Sequence, residues 1–160
     1  MKRTETEKRT DAVEIVRLGE EGVAEALGLM RVFYAHEGFD FDPEASGSML
    51  RYLLAHPEVG AVFLARDGGR ALGYLVLTRC YSLEFGGPFV LLDEIFVLPA
   101  AQGRGLGKRL LDTAAACCRE SGSGYLRLEV QKKNLRAIEV YRTYGFRTED
   151  RFLLSLPLPC

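Results

Sequence analysis

Asp93–Leu111 reads DEIFVLPAAQGRGLGKRLL, and this stretch decides the fold. Its first part closes a nearly continuous apolar run, Phe89–Leu98 (FVLLDEIFVL). A run without clean alternation suits a central strand buried on both faces. Pro99 cannot donate to a sheet ladder, so pairing should stop there. Glycines then fall at 103, 105 and 107. From about Gly105 to Glu120, Leu106, Leu110, Leu111, Ala114, Cys117 and Cys118 recur at helical spacing. A strand, a glycine turn and a helix in that order aim free backbone N–H groups at one point, helped by the positive end of the helix dipole. Glycine lets the backbone approach an anion without a Cβ in the way. The ligand such a turn suits is a phosphate or pyrophosphate.

Upstream, Val13–Leu18 alternates as a strand, and Gly22–His36 carries a helical apolar stripe. Gly38–Pro43 breaks it. A second helix is predicted over about Glu44 to Ala55, with Pro57 beyond its end. Val59–Ala65 and Ala71–Cys80 are strands joined at Asp67-Gly68-Gly69, a strong hairpin signal. Downstream, Tyr125–Val130 alternates as a strand. Asn134–Tyr144 is helical, with Asn134 a good N-cap and Gly145 the closing glycine. Phe152–Leu156 is the expected final strand. The order β-α-α-β-β-β-α-β-α-β implies an α+β fold of mixed α/β layers. One domain is expected over residues 12–160, after a flexible tail at 1–11.

Composition narrows the function classes. The 160 residues are 48% hydrophobic and 27% charged, with a net charge of −1. That is the make-up of an ordinary soluble domain, with no bulk basic field for nucleic acid or an anionic membrane. No apolar run approaches the roughly 20 residues of a membrane helix, and the N-terminus does not read as a signal peptide. The expected location is the cytoplasm. Cys80, Cys117, Cys118 and Cys160 form no CxxC and no Cys/His cluster, so no metal is expected.

Three phosphate motifs compete for the glycine turn. A Walker A loop needs GxxxxGK[ST], but Gln102 stands five before Gly107, and Arg109 follows Lys108. A dinucleotide fingerprint needs GxGxxG, whereas the spacing here is GxGxG. The pattern [RQ]xxGx[GA] fits Gln102-Gly103-Arg104-Gly105-Leu106-Gly107 at every position. At these residues the chain resembles the GCN5-related N-acetyltransferase (GNAT) superfamily. A second segment, Asn134–Phe146 (NLRAIEVYRTYGF), is similar to the family's NxxAxxxYxxxGF stretch. The resemblance implies a mostly antiparallel twisted sheet flanked by helices. It also implies transfer of an acetyl group from acetyl-CoA to a primary amine.

That transfer poses three problems. An amine of pKa about 10 must lose a proton, the developing oxyanion needs stabilising, and the departing thiolate gains from a proton donor. The resemblance implies that the N–H groups across Gly103, Arg104, Gly105, Leu106, Gly107 and Lys108 bind the CoA pyrophosphate, with Gln102 supporting the turn. It implies that Ile95, Phe96 and Val97 pair their backbone with the pantetheine arm, and that the Val97 N–H faces the thioester oxygen. It makes Tyr141 the proton donor. Asn134 and Tyr141, two helical turns apart, share a face with Ala137 and Ile138 between them, and the resemblance puts Asn134 and Ala137 at the cofactor arm.

Asp93 and Glu94 are the candidate proton acceptors. Alternation puts them on opposite faces, Asp93 with Ile95 and Val97, Glu94 with Phe96. Family members place an acidic residue in this strand at the acceptor site, which leaves Glu94 and Asp93 as rivals. The acceptor pocket is expected where the first two helices join. Tyr34, Glu37 and Phe39 are its candidate lining, near His36, Asp40 and Asp42, and acidic and aromatic groups suit a cationic amine. Two other classes stand beside the enzyme: a non-catalytic acyl-CoA-binding or sensor module, and a nucleotide-binding protein. The apolar stretch Phe152–Leu158 could pair across a homodimer.

Overall fold

The computed structural model describes residues 13–159, so the N-terminal tail and Cys160 lie outside it. The chain divides into two compact units, Met1–Glu129 and Val130–Cys160.

The first unit is a layered α+β body. Its strands are β1 (Glu14–Arg17), β2 (Gly60–Asp67), β3 (Arg70–Ser82), β4 (Gly87–Val97) and β5 (Leu126–Leu128). They form one sheet in the order β1-β2-β3-β4-β5. All neighbours are antiparallel except β4 and β5, which run parallel through a helical crossover. Gly68 and Gly69 both take positive φ, 55° and 88°, which gives the tight hairpin that Asp67-Gly68-Gly69 predicts.

Helices α1 (Val23–Glu37) and α2 (Pro43–Ala55) lie against β3 and β2. Asp42 caps α2, its Oδ1 accepting from the N–H groups of Glu44 at 2.9 Å and Ala45 at 3.0 Å. The core on this side joins Val23, Ala26, Leu29 and Met30 of α1 to Val62, Leu64, Tyr74, Val76 and Phe96 of the sheet. Helix α3 (Leu106–Glu120) packs on β4 and β3 and buries Leu106, Leu110, Leu111, Ala114 and Cys118.

Residues opposite one another across a ladder share a face. Val76 pairs with Glu94, but Leu77 pairs with Leu92, so Asp93 is an extra residue without a partner in β3. This β-bulge inverts the alternation of β4. Leu92 shares the face of Leu77, which lies outside the α1 core, while Glu94 and Phe96 share that of Val76 and Tyr74, which lies inside it. Two expectations are corrected here. Strict alternation does not run through Asp93 and Glu94, because Asp93 stands unpaired at the bulge while Glu94 takes the face of Val76. Nor is Phe89–Leu98 buried on both faces throughout: Val90, Leu92 and Phe96 are buried, while Ile95 and Val97 are half-buried and Phe89 exposed to a similar degree. In the sheet order, β4 stands second from the edge.

The second unit holds α4 (Leu135–Tyr144), capped by the Asn134 side chain, which accepts from the Ala137 N–H at 3.1 Å. The predicted strand at Phe152–Leu156 is not formed: these residues have no regular structure, and Phe152, Leu153, Leu154 and Leu156 are exposed. Their composition is strand-like, but a strand exists only through a partner ladder, and no described segment pairs with this one. Likewise β5 is shorter than Tyr125–Val130, because its ladder ends at Leu92, where β4 bulges.

Candidate active site

Beyond Leu92, β4 has a partner among the described residues on one edge only. β5 pairs with Val90, Leu91 and Leu92, while β3 continues to Val97. The Leu98 N–H donates to Leu72 O at 2.8 Å, so that pair is hydrogen-bonded. Antiparallel ladders alternate, which turns the N–H and C=O groups of Val97 and Ile95 away from β3 and toward the open edge. Glu94 and Phe96 point theirs into the ladder. Gln102 Nε2 donates to Val97 O at 3.1 Å and so ties the glycine turn to the end of this strand.

In the turn, Gly103 and Gly105 have φ of +77° and +76°, a left-handed conformation that residues with a Cβ rarely adopt. A Cβ built at Gly103, Gly105 or Gly107 would meet nothing within 4 Å. Gly105 is the N-cap of α3 and supplies no side-chain acceptor, so the first N–H groups of the helix, at Leu106, Gly107 and Lys108, have no cap. This is a backbone cradle with room in front of it, and it fits a phosphate group. The two nearby cations are engaged elsewhere. Arg104 Nη2 meets Asp67 Oδ2 at 2.9 Å, and Lys108 Nζ meets Asp112 Oδ2 at 2.8 Å.

On the α1 side, Glu94 is held at both carboxylate oxygens. The Tyr34 hydroxyl donates to Oε1 at 2.5 Å, and the Tyr74 hydroxyl donates to Oε2 at 2.7 Å. Burial and the Glu94 carboxylate push both phenols well above their ordinary pKa. The nearby Asp93 charge raises both a little further. Asp93 itself stands exposed at its surface, yet the surrounding protein removes enough water to raise its carboxyl pKa. Tyr34 sits in an aromatic collar, edge-on to Phe33, Phe39 and Phe41 with centroids 5.8, 6.0 and 5.5 Å away. Glu37 ends α1, its Oε1 3.4 Å from His36 Nδ1. His56 Nδ1 lies 3.0 Å from Glu58 Oε1, at the surface.

In the second unit, Tyr141 packs edge-on to Phe146 at 5.8 Å, and burial raises its pKa. Among the described residues no group of three or more His, Cys, Asp or Glu side chains could hold a metal ion.

The sequence reading brought Tyr34 and Glu94 to one site but missed Tyr74. Its signal was present: a tyrosine in the otherwise aliphatic ALGYLVL must find a partner for its hydroxyl once buried. Tyr74 is 0% exposed, and Glu94 is that partner.

The acetyltransferase (GNAT) family model matches residues 27–146, a span that includes the open strand edge and the uncapped glycine turn. The chain belongs to the GNAT family of acetyltransferases. Streptothricin acetyltransferase of Streptomyces lavendulae is 32% identical to this GNAT protein over 90% of this chain and 94% of its own. An integron cassette protein from the mobile metagenome of Cole Harbour Salt Marsh superposes with a TM-score of 0.82 at 32% identity, covering 91% of each chain. An aminoglycoside N-acetyltransferase solved in complex with CoA shares the fold, with a TM-score of 0.81 at 20% identity over 94% and 97% of the two chains. The acetyltransferase is therefore an enzyme of acetyl-CoA-dependent N-acetyl transfer. No helix among its described residues is long and apolar enough to cross a membrane.

Proposed function

We propose that this acetyltransferase acetylates a small cationic primary amine, received at the joint of α1 and α2 with Glu94 as the proton acceptor. The carrying observation is the Glu94 carboxylate, bonded to Tyr34 within its aromatic collar, with Asp93 beside it in the bulge of β4. Carboxylates attract an ammonium group, and aromatic faces add cation–π attraction. Tyr34, Phe39 and Glu37 would line the acceptor side. The name of the Streptomyces lavendulae relative makes streptothricin the first acceptor to try.

The cofactor side follows from backbone chemistry. When bound, acetyl-CoA supplies the thioester carbonyl that the amine attacks. The N–H groups from Gly103 to Lys108 would hold the pyrophosphate, and the free edge of Ile95–Val97 the pantetheine amides. Gln102 would fix the turn through Val97 O, leaving the Val97 N–H to face developing negative charge on oxygen. Tyr141 would return a proton to the leaving sulfur. Its raised pKa keeps the hydroxyl protonated at neutral pH, as a donor must be. Asn134 and Ala137 stay assigned to the cofactor by the family pattern alone. No metal, nucleic acid or membrane enters this reading, a cytoplasmic setting suits it, and a second copy covering the exposed Phe152–Leu158 run is part of it.

The test is release of CoA thiol from acetyl-CoA with streptothricin, a series of diaminoalkanes, and a peptide with a free N-terminus. Turnover of the small cations, cut about 100-fold or more by Glu94→Gln, is expected. A preference for the peptide would overturn the acceptor class. A second reading has its own support: Asp93 is the more exposed carboxylate, and its raised pKa suits a base. In that case Asp93→Asn, not Glu94→Gln, would carry the loss.

A further inference from the structure

Glu94 has little room to meet the amine directly. Each of its oxygens already accepts from a phenol, and one of these, Tyr74, is fully buried and leads nowhere. The other, Tyr34, is only part-buried and lies among the aromatic groups at the end of α1. Its hydroxyl hydrogen is committed to Glu94 at 2.5 Å, while among the described residues no donor reaches its phenol oxygen. A hydroxyl with its proton spent and its lone pairs open can accept from a new donor.

We propose that Tyr34 is a catalytic proton relay between the acceptor ammonium and Glu94. The inference rests on Glu94 being the terminal proton acceptor and adds the route. The ammonium N–H bond breaks as its proton joins the Tyr34 oxygen. In the same motion the original Tyr34 O–H bond breaks, and that proton joins Glu94 Oε1. The amine nitrogen regains its electron pair, the phenol ends neutral, and the carboxylate ends as a carboxylic acid that later gives its proton to water. One positive and one negative charge are cancelled, and no phenolate forms. The strongly raised pKa of Tyr34 agrees with that, since it opposes ionisation of the phenol at any point. Asp93 on β4 and Tyr74 on β3 are the other titratable groups whose charge or dipole acts on Tyr34 and Glu94, and neither lies on the route.

The test compares wild type, Tyr34→Phe, Glu94→Gln and the double variant, using the small amine that releases most CoA in the screen above. Tyr34→Phe should lower kcat on the order of 100-fold with KM little changed. The double variant should be no slower than the worse single, because both remove one pathway. The pH profile separates a relay from a packing role. With the relay the bound ammonium is used directly, so the wild-type rate is flat at neutral and mildly alkaline pH. Without it only free amine reacts, so the rate of Tyr34→Phe should climb about tenfold per pH unit toward the amine pKa near 10.

A fast, flat Tyr34→Phe beside an impaired Glu94→Gln would overturn the relay alone and leave water as the carrier. An unimpaired Glu94→Gln would overturn both the proton acceptor and the relay. A second measurement needs no acceptor: carbon-13 NMR of ζ-labelled tyrosine in the full chain. The signal lost in Tyr34→Phe should shift in Glu94→Gln and should stay un-ionised after the exposed tyrosines have titrated. A signal indifferent to Glu94→Gln would sink the proposal.

Discussion

Alanine at Gly105 and alanine at Gly107 should move stability in opposite directions. Both sites are open, since an added Cβ meets nothing within 4 Å. Steric crowding therefore contributes nothing at either, and backbone conformation decides. Gly105 sits at φ +76°, where an L side chain costs about 1–2 kcal/mol. Gly107 lies inside α3 with no left-handed φ, where alanine restricts the unfolded chain and gains about 0.4–1 kcal/mol. For a chain of this length each kcal/mol moves Tm by about 2–4 °C. Gly105→Ala should thus melt about 2–8 °C lower and Gly107→Ala about 1–4 °C higher. Affinity adds a second axis. Gly105→Ala relieves its strain only by turning the peptide, which re-aims the N–H groups of the cradle. A loss of about tenfold in acetyl-CoA affinity, or 1.4 kcal/mol, is expected, and a smaller loss for Gly107→Ala. Scanning calorimetry without ligand and calorimetric titration with acetyl-CoA read the two axes. An unchanged Tm for Gly105→Ala would refute the backbone argument. A lowered Tm with full affinity would refute the phosphate cradle.

Leu110 is fully buried under the sheet, so Leu110→Ala should cost about 2–5 kcal/mol, read by urea unfolding. The Asn134 side chain caps α4, so Asn134→Ala should lose about 0.5–2 kcal/mol, seen first as faster amide exchange at Leu135 to Ala137. Asp93 has a raised pKa in the fold, so protonation favours the folded state. Its stability contribution is complete below the unfolded carboxyl pKa near 3.9 and is lost as pH rises through the raised folded value. Asp93→Asn should therefore melt above wild type at pH 7, with the gap closing on acidification toward pH 4. A gap that widens in acid would reverse the assigned sign.

Much of this was legible in residue order. The glycine turn, the amphipathic stripe of α3, the Asp67-Gly68-Gly69 hairpin and the Asp42 and Asn134 caps are local, each set by a few adjacent residues, and patterns report them well. The active-site face was less legible because it depends on pairing. Alternation placed Asp93 and Glu94 on opposite sides, and only the ladder reveals that Val76 meets Glu94 while Leu77 meets Leu92. Tyr74 reaches Glu94 across 20 residues of chain, a distance at which spacing carries no signal. The expected strand at Phe152–Leu156 failed for the same reason: apolar composition reports an affinity for burial but names no partner.

The extra residue at Asp93 also acts as a phase shift. Below it, the even-numbered apolar side chains Val90 and Leu92 fall on the side of Leu77; above it, Phe96 falls on the side of Tyr74. A single hydrophobic rhythm along one strand can therefore seal two different layers in succession. At the crossover, and nowhere else between Val90 and Val97, a residue of the strand stands without a partner in β3. Removing Asp93 would leave the Val76–Glu94 and Leu77–Leu92 pairs intact and heal the ladder. The fold would keep both of its cores, and Glu94 its tyrosines, while the strand would lose the step that lets one rhythm serve two layers.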